Sequence, residues 1–340
     1  MTQQAAIYGC QGTTLTEDEK AFFRDASPWG FIVFARNIDT RDQLRALVSS
    51  FRETVGRDAP VLIDQEGGRV ARLKPPHWRK YPPARAYGEL YERDRQAGLT
   101  AARLGTQIIA SELSDMGIDV DCLPVLDVPV PGAHDIIGDR AYSTSPDTVK
   151  AVAQAAAEGL LAGGVLPVIK HIPGHGRAGV DSHEKLPVVD APLETLRETD
   201  FVPFRALSDM PLAMTAHVVY SAIDPDNPAT TSKKVIREVI REDMRFYGLL
   251  MSDDLSMQAL KGTLGERTRA ALDAGCDMAL HCNGDMAEMK QVAAETPILQ
   301  GEAGARAQIA IRDWKKPPMG VDAEAGYARL QELLGISLTA

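Results

Sequence analysis

Cysteine is scarce in this 340-residue chain, and what there is lies scattered. Cys10, Cys122, Cys276 and Cys282 share no CxxC spacing, so neither a zinc ribbon nor a disulfide-framed fold is expected. They read as buried free thiols of a reducing compartment. Positive charge is also in deficit. Thirty-seven Lys and Arg face 47 Asp and Glu, for a formal net charge of −10. Nucleic acid is therefore not an expected partner, because phosphate neutralisation needs a basic face. Long apolar runs are missing too. None approaches the roughly 20 residues of a membrane-spanning helix, so no membrane partner is expected. The opening MTQQAAIYGC has no basic stretch and no apolar core, and it reads neither as a signal peptide nor as a lipid-anchor site. No low-complexity tract and no composition break suggests a linker. These absences leave a soluble cytoplasmic protein as the expectation, with no signal for an oligomeric state.

What is present is alternation. Short apolar runs recur at 5–9, 31–35, 60–64, 118–124, 165–170, 212–217, 248–253 and 277–282. Most are continuously apolar, as strands buried on both faces are. Helical patterns lie between them. Leu44, Leu47, Val48, Phe51 and Val55 make one stripe over 40–56, with Asp39 or Thr40 to cap it and Gly56 to end it. Residues 232–246 repeat the theme behind Ser232. An Ala-rich helix over 147–162 stops at Gly163-Gly164, and a long helix is expected over about 95–116. Eight strand–helix units predict a (β/α)8 TIM barrel, with residues 1–340 as one domain and about 300–340 as an extension ending in a closing helix. A doubly wound sheet with a small second domain is the alternative.

In such a barrel the chemistry sits where strands meet the loops that follow them. Those positions are conspicuously polar here: Asp64, Asp127, Lys170-His171, His217 and Asp253-Asp254. Taken singly, each has an ordinary explanation. Asp127 and Asp254 read as helix caps, His217 as a satisfied structural histidine, and Asp64 with Arg69 and Arg72 as an ion-pair cluster. At one barrel rim together they read as a site. The stretch KHIPGHGRAGVDSH (170–183) alone holds three of the seven histidines. Asp253, at a buried strand end, suits a nucleophilic carboxylate. Asp181, two residues before His183, suits a carboxylate that orients an imidazole and raises its basicity. Lys170, Arg72 and Asp64 suit hydroxyl or acetamido recognition. The inventory is that of carbohydrate hydrolysis.

DQEGGRVARL (64–73), LPVLDV (123–128), IIGDRAYS (136–143), KHIPGHGRAGVDSH, MTAHVVYSAIDP (214–225) and MSDDLSM (251–257) together resemble the signature segments of the glycoside hydrolase family three β-N-acetylhexosaminidases. They occur in the family's order and span about 60–290. The chain resembles most the short, one-domain cytoplasmic type of Gram-negative bacteria. The resemblance implies retaining hydrolysis of terminal β-linked N-acetylglucosamine from N-acetylglucosaminyl-1,6-anhydro-N-acetylmuramic acid, with or without its peptide, in peptidoglycan recycling. It implies no cofactor and no metal. Carried over by motif, Asp253 is the nucleophile, His183 the general acid/base and Asp181 its partner. Asp64, Arg72, Arg140, Lys170 and His171 match sugar-binding positions. His281 stands where the family usually has an apolar residue and reads as structural.

Two rival readings remain at this stage. A metal-dependent amidohydrolase barrel would carry an HxH pair at the exit of its first strand, and this chain has YGCQG there. A non-catalytic muropeptide-binding barrel would be expected to lack the nucleophile or the dyad, and both are present.

Overall fold

A computed structural model of the chain describes residues 2–180 and 186–338. All eight apolar runs supply strands to one closed parallel barrel, arranged around the ring in chain order. They are β1 (Gln4–Tyr8), β2 (Pro28–Val33), β3 (Val61–Ile63), β4 (Val120–Asp121), β5 (Leu166–Ile172), β6 (Leu212–Thr215), β7 (Leu249–Asp254) and β8 (Met278–His281). The ring closes where β8 pairs with β1, Tyr8 opposite His281. Closure sets aside the doubly wound alternative, which needs an open sheet.

The helices follow from their caps. Over Arg41–Val55, the Thr40 hydroxyl accepts the Gln43 N–H and Gly56 ends the helix in the left-handed conformation at φ 65°. The predicted stripe is the buried face. Ser145 caps Pro146–Ala162 in the same way. The segment over 232–246 departs from expectation. From Val235 to Asp243 it is wound wider than an α-helix, its end marked by a Met244 N–H bond to the Val239 carbonyl at 2.8 Å. Val235, Ile236, Val239 and Ile240 are buried all the same. Two features were not expected. One is a helix over Ala84–Arg93. The other is a small sheet of Val188–Val189, Val219–Tyr220 and Asp224–Pro228 beside the barrel.

Two apolar shells hold the barrel together. Inside lie Ile7, Ile32, Leu62, Val120, Leu166, Val168, Leu212, Met251 and Met278. Between barrel and helices lies a second shell, in which Phe31 stacks on Phe51 with ring centroids 4.3 Å apart. The helical segment after Gly301 buries Ala307 and Ala310 against the inner shell. That closes the end of the barrel where the strands begin and leaves the other end for ligands. The helix Ala323–Leu334 packs across the Arg95–Asp115 helix. All four cysteines are buried free thiols. Among the described residues no helix is long and apolar enough to cross a membrane.

Candidate active site

A cavity of about 310 Å³ opens at the C-terminal ends of the strands. Asp64, Arg72, Arg140, Lys170, His171 and Asp253 all line it. Six of the eight residues singled out from the sequence thus come together from the exits of β3, β4, β5 and β7. The other two, Asp181 and His183, lie outside the described residues.

The β3 exit is built by local geometry. Gly67 and Gly68 take φ of 89° and 56°, the left-handed region that favours glycine, and the backbone of Pro82 and Pro83 comes too close to either for a Cβ. Gln65 then ties the turn down. Its side-chain oxygen accepts the N–H groups of Arg72 and Leu73 at 2.8 and 3.0 Å, and its amide donates to the Leu73 carbonyl at 3.0 Å. Arg72 is thereby aimed back at Asp64.

Five charged groups form an alternating chain along the cavity wall. Arg72 Nη2 reaches Asp64 Oδ2 at 3.1 Å, and Lys170 Nζ reaches Asp64 Oδ1 at 2.9 Å. The same ammonium reaches Glu66 Oε1 at 2.7 Å. Arg140 grips Glu66 through Nε and Nη2, both at 2.9 Å, in a two-pronged contact. Lys170 and Glu66 are almost wholly buried. Burial alone would raise the carboxyl pKa values, but the cations outweigh it. Asp64 is held well below the usual carboxylate range by Lys170 and Arg72, and Glu66 is held at about 2 by Arg140 and Lys170. The chain carries three positive and two negative charges. It presents fixed donors and acceptors to a polar ligand with little reorganisation.

The β5 and β7 exits share a device. Lys170 pairs with Met214 of β6 and Ile172 with Thr215, so His171 is an extra residue in β5. Met251 pairs with Met278 of β8 and Asp254 with Leu280, so β7 carries an extra residue in the interval holding Asp253. A bulge re-aims a side chain and bends its strand. Both His171 and Asp253 face the cavity. An oxygen of Asp253 accepts the Asp254 N–H at 2.8 Å.

Asp127 corrects the sequence reading. It does not cap the next helix, which Ser145 caps. It is fully buried, its Oδ2 lies 2.7 Å from His171 Nδ1, and its Oδ1 accepts the N–H groups of His171 and His175 at 3.2 and 2.7 Å. Against the effect of burial, His171 and His175 hold its pKa at about 2. Asp254 makes a local turn by accepting the Ser256 N–H at 3.0 Å, and it also ties to β8 through the Cys282 N–H at 3.2 Å. Burial lowers the pKa of His175 to about 4. His281 is fully buried away from the cavity, its Nε2 3.0 Å from Glu288 Oε2. Glu66 is a carboxylate of the cavity wall that the sequence did not single out, and Asp127, placed at the rim from the sequence, holds His171 where a helix cap was expected. Asp127 carried a signal, since an Asp flanked by Leu126 and Val128 has to find buried partners. Glu66 carried none, because Arg140 lies 74 residues away.

The depressed carboxyl groups carry a consequence for acid stability. A group whose folded pKa lies below its unfolded value of about 4 stabilises the fold above that value, and the stabilisation is lost as pH falls toward the folded value. Asp64, Glu66 and Asp127 all have this sign. The free energy of urea unfolding is therefore expected to fall as pH drops from about 4 toward 2. Asp127→Asn removes one such group, so its proton uptake on unfolding near pH 3 is expected to be smaller by about one. An unchanged slope in the variant would contradict the assignment of Asp127 as an ionised, paired carboxylate.

Among the described residues no three His, Cys, Asp or Glu side chains converge as a metal-binding group. Residues 10–309 match the profile of the glycosyl hydrolase family 3 N-terminal domain. The chain is 38% identical over 281 residues to a β-hexosaminidase of Bordetella pertussis, covering 82% of this chain and 79% of that protein. Native NagZ from Neisseria gonorrhoeae has the same fold, with a TM-score of 0.88 at 31% identity over 98% of each chain. NagZ in complex with N-trifluoroacetyl-D-glucosamine gives 0.86 at 30%, again over 98% of each chain. A match over most of the chain, with the fold and the cavity to go with it, identifies this protein as a member of glycosyl hydrolase family 3, among its β-hexosaminidases.

Proposed function

We propose that this β-hexosaminidase releases terminal β-linked N-acetylglucosamine with retention of configuration. The natural substrate is N-acetylglucosaminyl-1,6-anhydro-N-acetylmuramic acid, with or without peptide, and the setting is cytoplasmic cell-wall recycling. One catalytic domain does the work without metal or cofactor. The observation that carries the reading is the juxtaposition, around one cavity, of the Asp253 carboxylate with the Arg72–Asp64–Lys170–Glu66–Arg140 chain and the Asp127-held His171. Such a cavity matches a single polar ring, held by its hydroxyls with a carboxylate beneath the reacting carbon. The complex of the similar NagZ with N-trifluoroacetyl-D-glucosamine supports the sugar class.

The mechanism follows from the inventory. Asp253 attacks the anomeric carbon while His183, oriented by Asp181, gives its proton to the leaving oxygen. A covalent glycosyl–enzyme of inverted configuration forms. Neutral His183 then takes a proton from water, which attacks the same carbon and displaces the Asp253 carboxylate, and the second inversion restores β. A histidine suits this task beside a carboxylate nucleophile, because giving up its proton leaves it neutral and adds no second negative charge.

The test is release of 4-nitrophenol from its β-N-acetylglucosaminide by purified protein in excess EDTA. Rapid release is the expected result. Release only after added zinc would contradict the metal-free mechanism. Ligand binding with no release under any condition would contradict hydrolysis of this glycoside class.

A further inference from the structure

His217 is buried, absent from the cavity wall, and unused by the mechanism above. It lies two residues past the end of β6. Its Nε2 stands 3.0 Å from the Asp254 carbonyl, and its Nδ1 stands 2.7 Å from the Thr230 hydroxyl. A backbone carbonyl can only accept, so Nε2 carries a hydrogen. Burial disfavours the imidazolium and outweighs the pull of Asp253 and Asp254, so the pKa is lowered and the ring is neutral near pH 7. Nδ1 must then accept. The Thr230 hydroxyl donates to it, although the Ala216 carbonyl is also in range at 3.1 Å. With its hydrogen spent, Thr230 accepts from Thr215 at 2.8 Å. One proton order satisfies the whole chain, from Thr215 through Thr230 and His217 to the carbonyl of the residue after Asp253.

The location of that last bond matters. Paired registry between β6 and β7 runs only as far as Met214 and Met251, below the bulge that carries Asp253. On the β8 side the bulge is tied by the Cys282 N–H to Asp254 and by the Leu255 N–H to the Leu280 carbonyl at 3.0 Å. On the β6 side, His217 supplies a tie beyond the last register pair. We propose that His217 is a positioning residue for the nucleophile: as a fixed donor to the Asp254 carbonyl, it sets the angle at which the bulge presents the Asp253 carboxylate to the sugar. This rests on the reading of Asp253 as nucleophile.

The experiment compares His217→Ala and His217→Gln on 4-nitrophenyl β-N-acetylglucosaminide, with inhibition by free N-acetylglucosamine as the gauge of the sugar site. Misplacing a reacting group by about 1 Å costs on the order of 10²-fold. His217→Ala is expected to lose kcat on that scale, with KM and the inhibition constant within about threefold of wild type. His217→Gln keeps an N–H donor and is expected to recover at least about tenfold of the loss. Unchanged kcat in a folded Ala variant overturns the proposal. So does an equal loss of kcat and inhibitor affinity, or a folded Gln variant no better than Ala. Should the Ala variant not fold, Thr230→Val carries the test, because it frees the ring at Nδ1. Lower kcat at constant inhibitor affinity supports the proposal, and undiminished kcat overturns it. The underlying reading fails separately: an inactive wild-type protein, or a fully active Asp253→Ala variant, overturns the proposed function itself.

Discussion

Asp253→Ala is expected to lower kcat on an aryl β-N-acetylglucosaminide by roughly 10⁴-fold or more, with little change in KM. The side chain lines the cavity at a bulge, and the ion pairs that link Arg72, Asp64, Lys170, Glu66 and Arg140 are made without it. Its loss therefore leaves Asp64, Glu66, Lys170, Arg72 and Arg140 paired as before. Binding survives while the covalent step has no partner. The substitution also leaves room for a small anion where the carboxylate stood. Azide is expected to restore part of the turnover, attacking from the same face as Asp253 and giving the α-glycosyl azide. Steady-state kinetics with and without azide, with the product configuration read by NMR, check both parts. Turnover retained without azide would remove Asp253 from the nucleophile's role.

The second large effect depends on the leaving group. His183→Ala is expected to cut turnover of the proposed disaccharide substrate by about 10²–10⁴-fold, the range that general acid catalysis supplies. The poorly leaving sugar oxygen needs a proton as its bond breaks, whereas 4-nitrophenolate departs without one. On the aryl substrate the first step is therefore spared. The second step, which needs His183 as base, becomes limiting, and a burst of nitrophenol stoichiometric with enzyme is expected in stopped flow. Equal loss on both substrates with no burst would point away from an acid/base role, and undiminished turnover of the disaccharide would exclude it.

The sequence made the barrel legible because buried parallel strands read as short continuous apolar runs, and each of the eight runs contains residues of a strand. The caps at Thr40 and Gly56 were equally plain, since capping is local chemistry. The small sheet was not. Two of its strands are two residues long, and the third reads DPDNP, a composition that otherwise marks a turn. The same divide runs through the site. Asp64, Arg72, Arg140, Lys170, His171 and Asp253 stand in recognisable segments. The partners of Glu66, Asp127 and His217 lie 74, 44 and 37 residues away, and no local pattern announces such pairings. Asp127 looks like a cap from its neighbours. Only the closed barrel, which brings the β4 exit beside the β5 exit, turns it into the carboxylate that holds His171.

The most direct test of the whole account is covalent trapping. A fluorinated N-acetylglucosaminyl substrate with a good leaving group speeds formation of the glycosyl–enzyme relative to its hydrolysis. Intact-mass analysis followed by peptide mapping is expected to show one sugar per protein, attached to Asp253. Attachment to another carboxylate, or an α-configured sugar released first from an ordinary β-substrate with no adduct formed, would contradict the double-displacement mechanism on which the account rests.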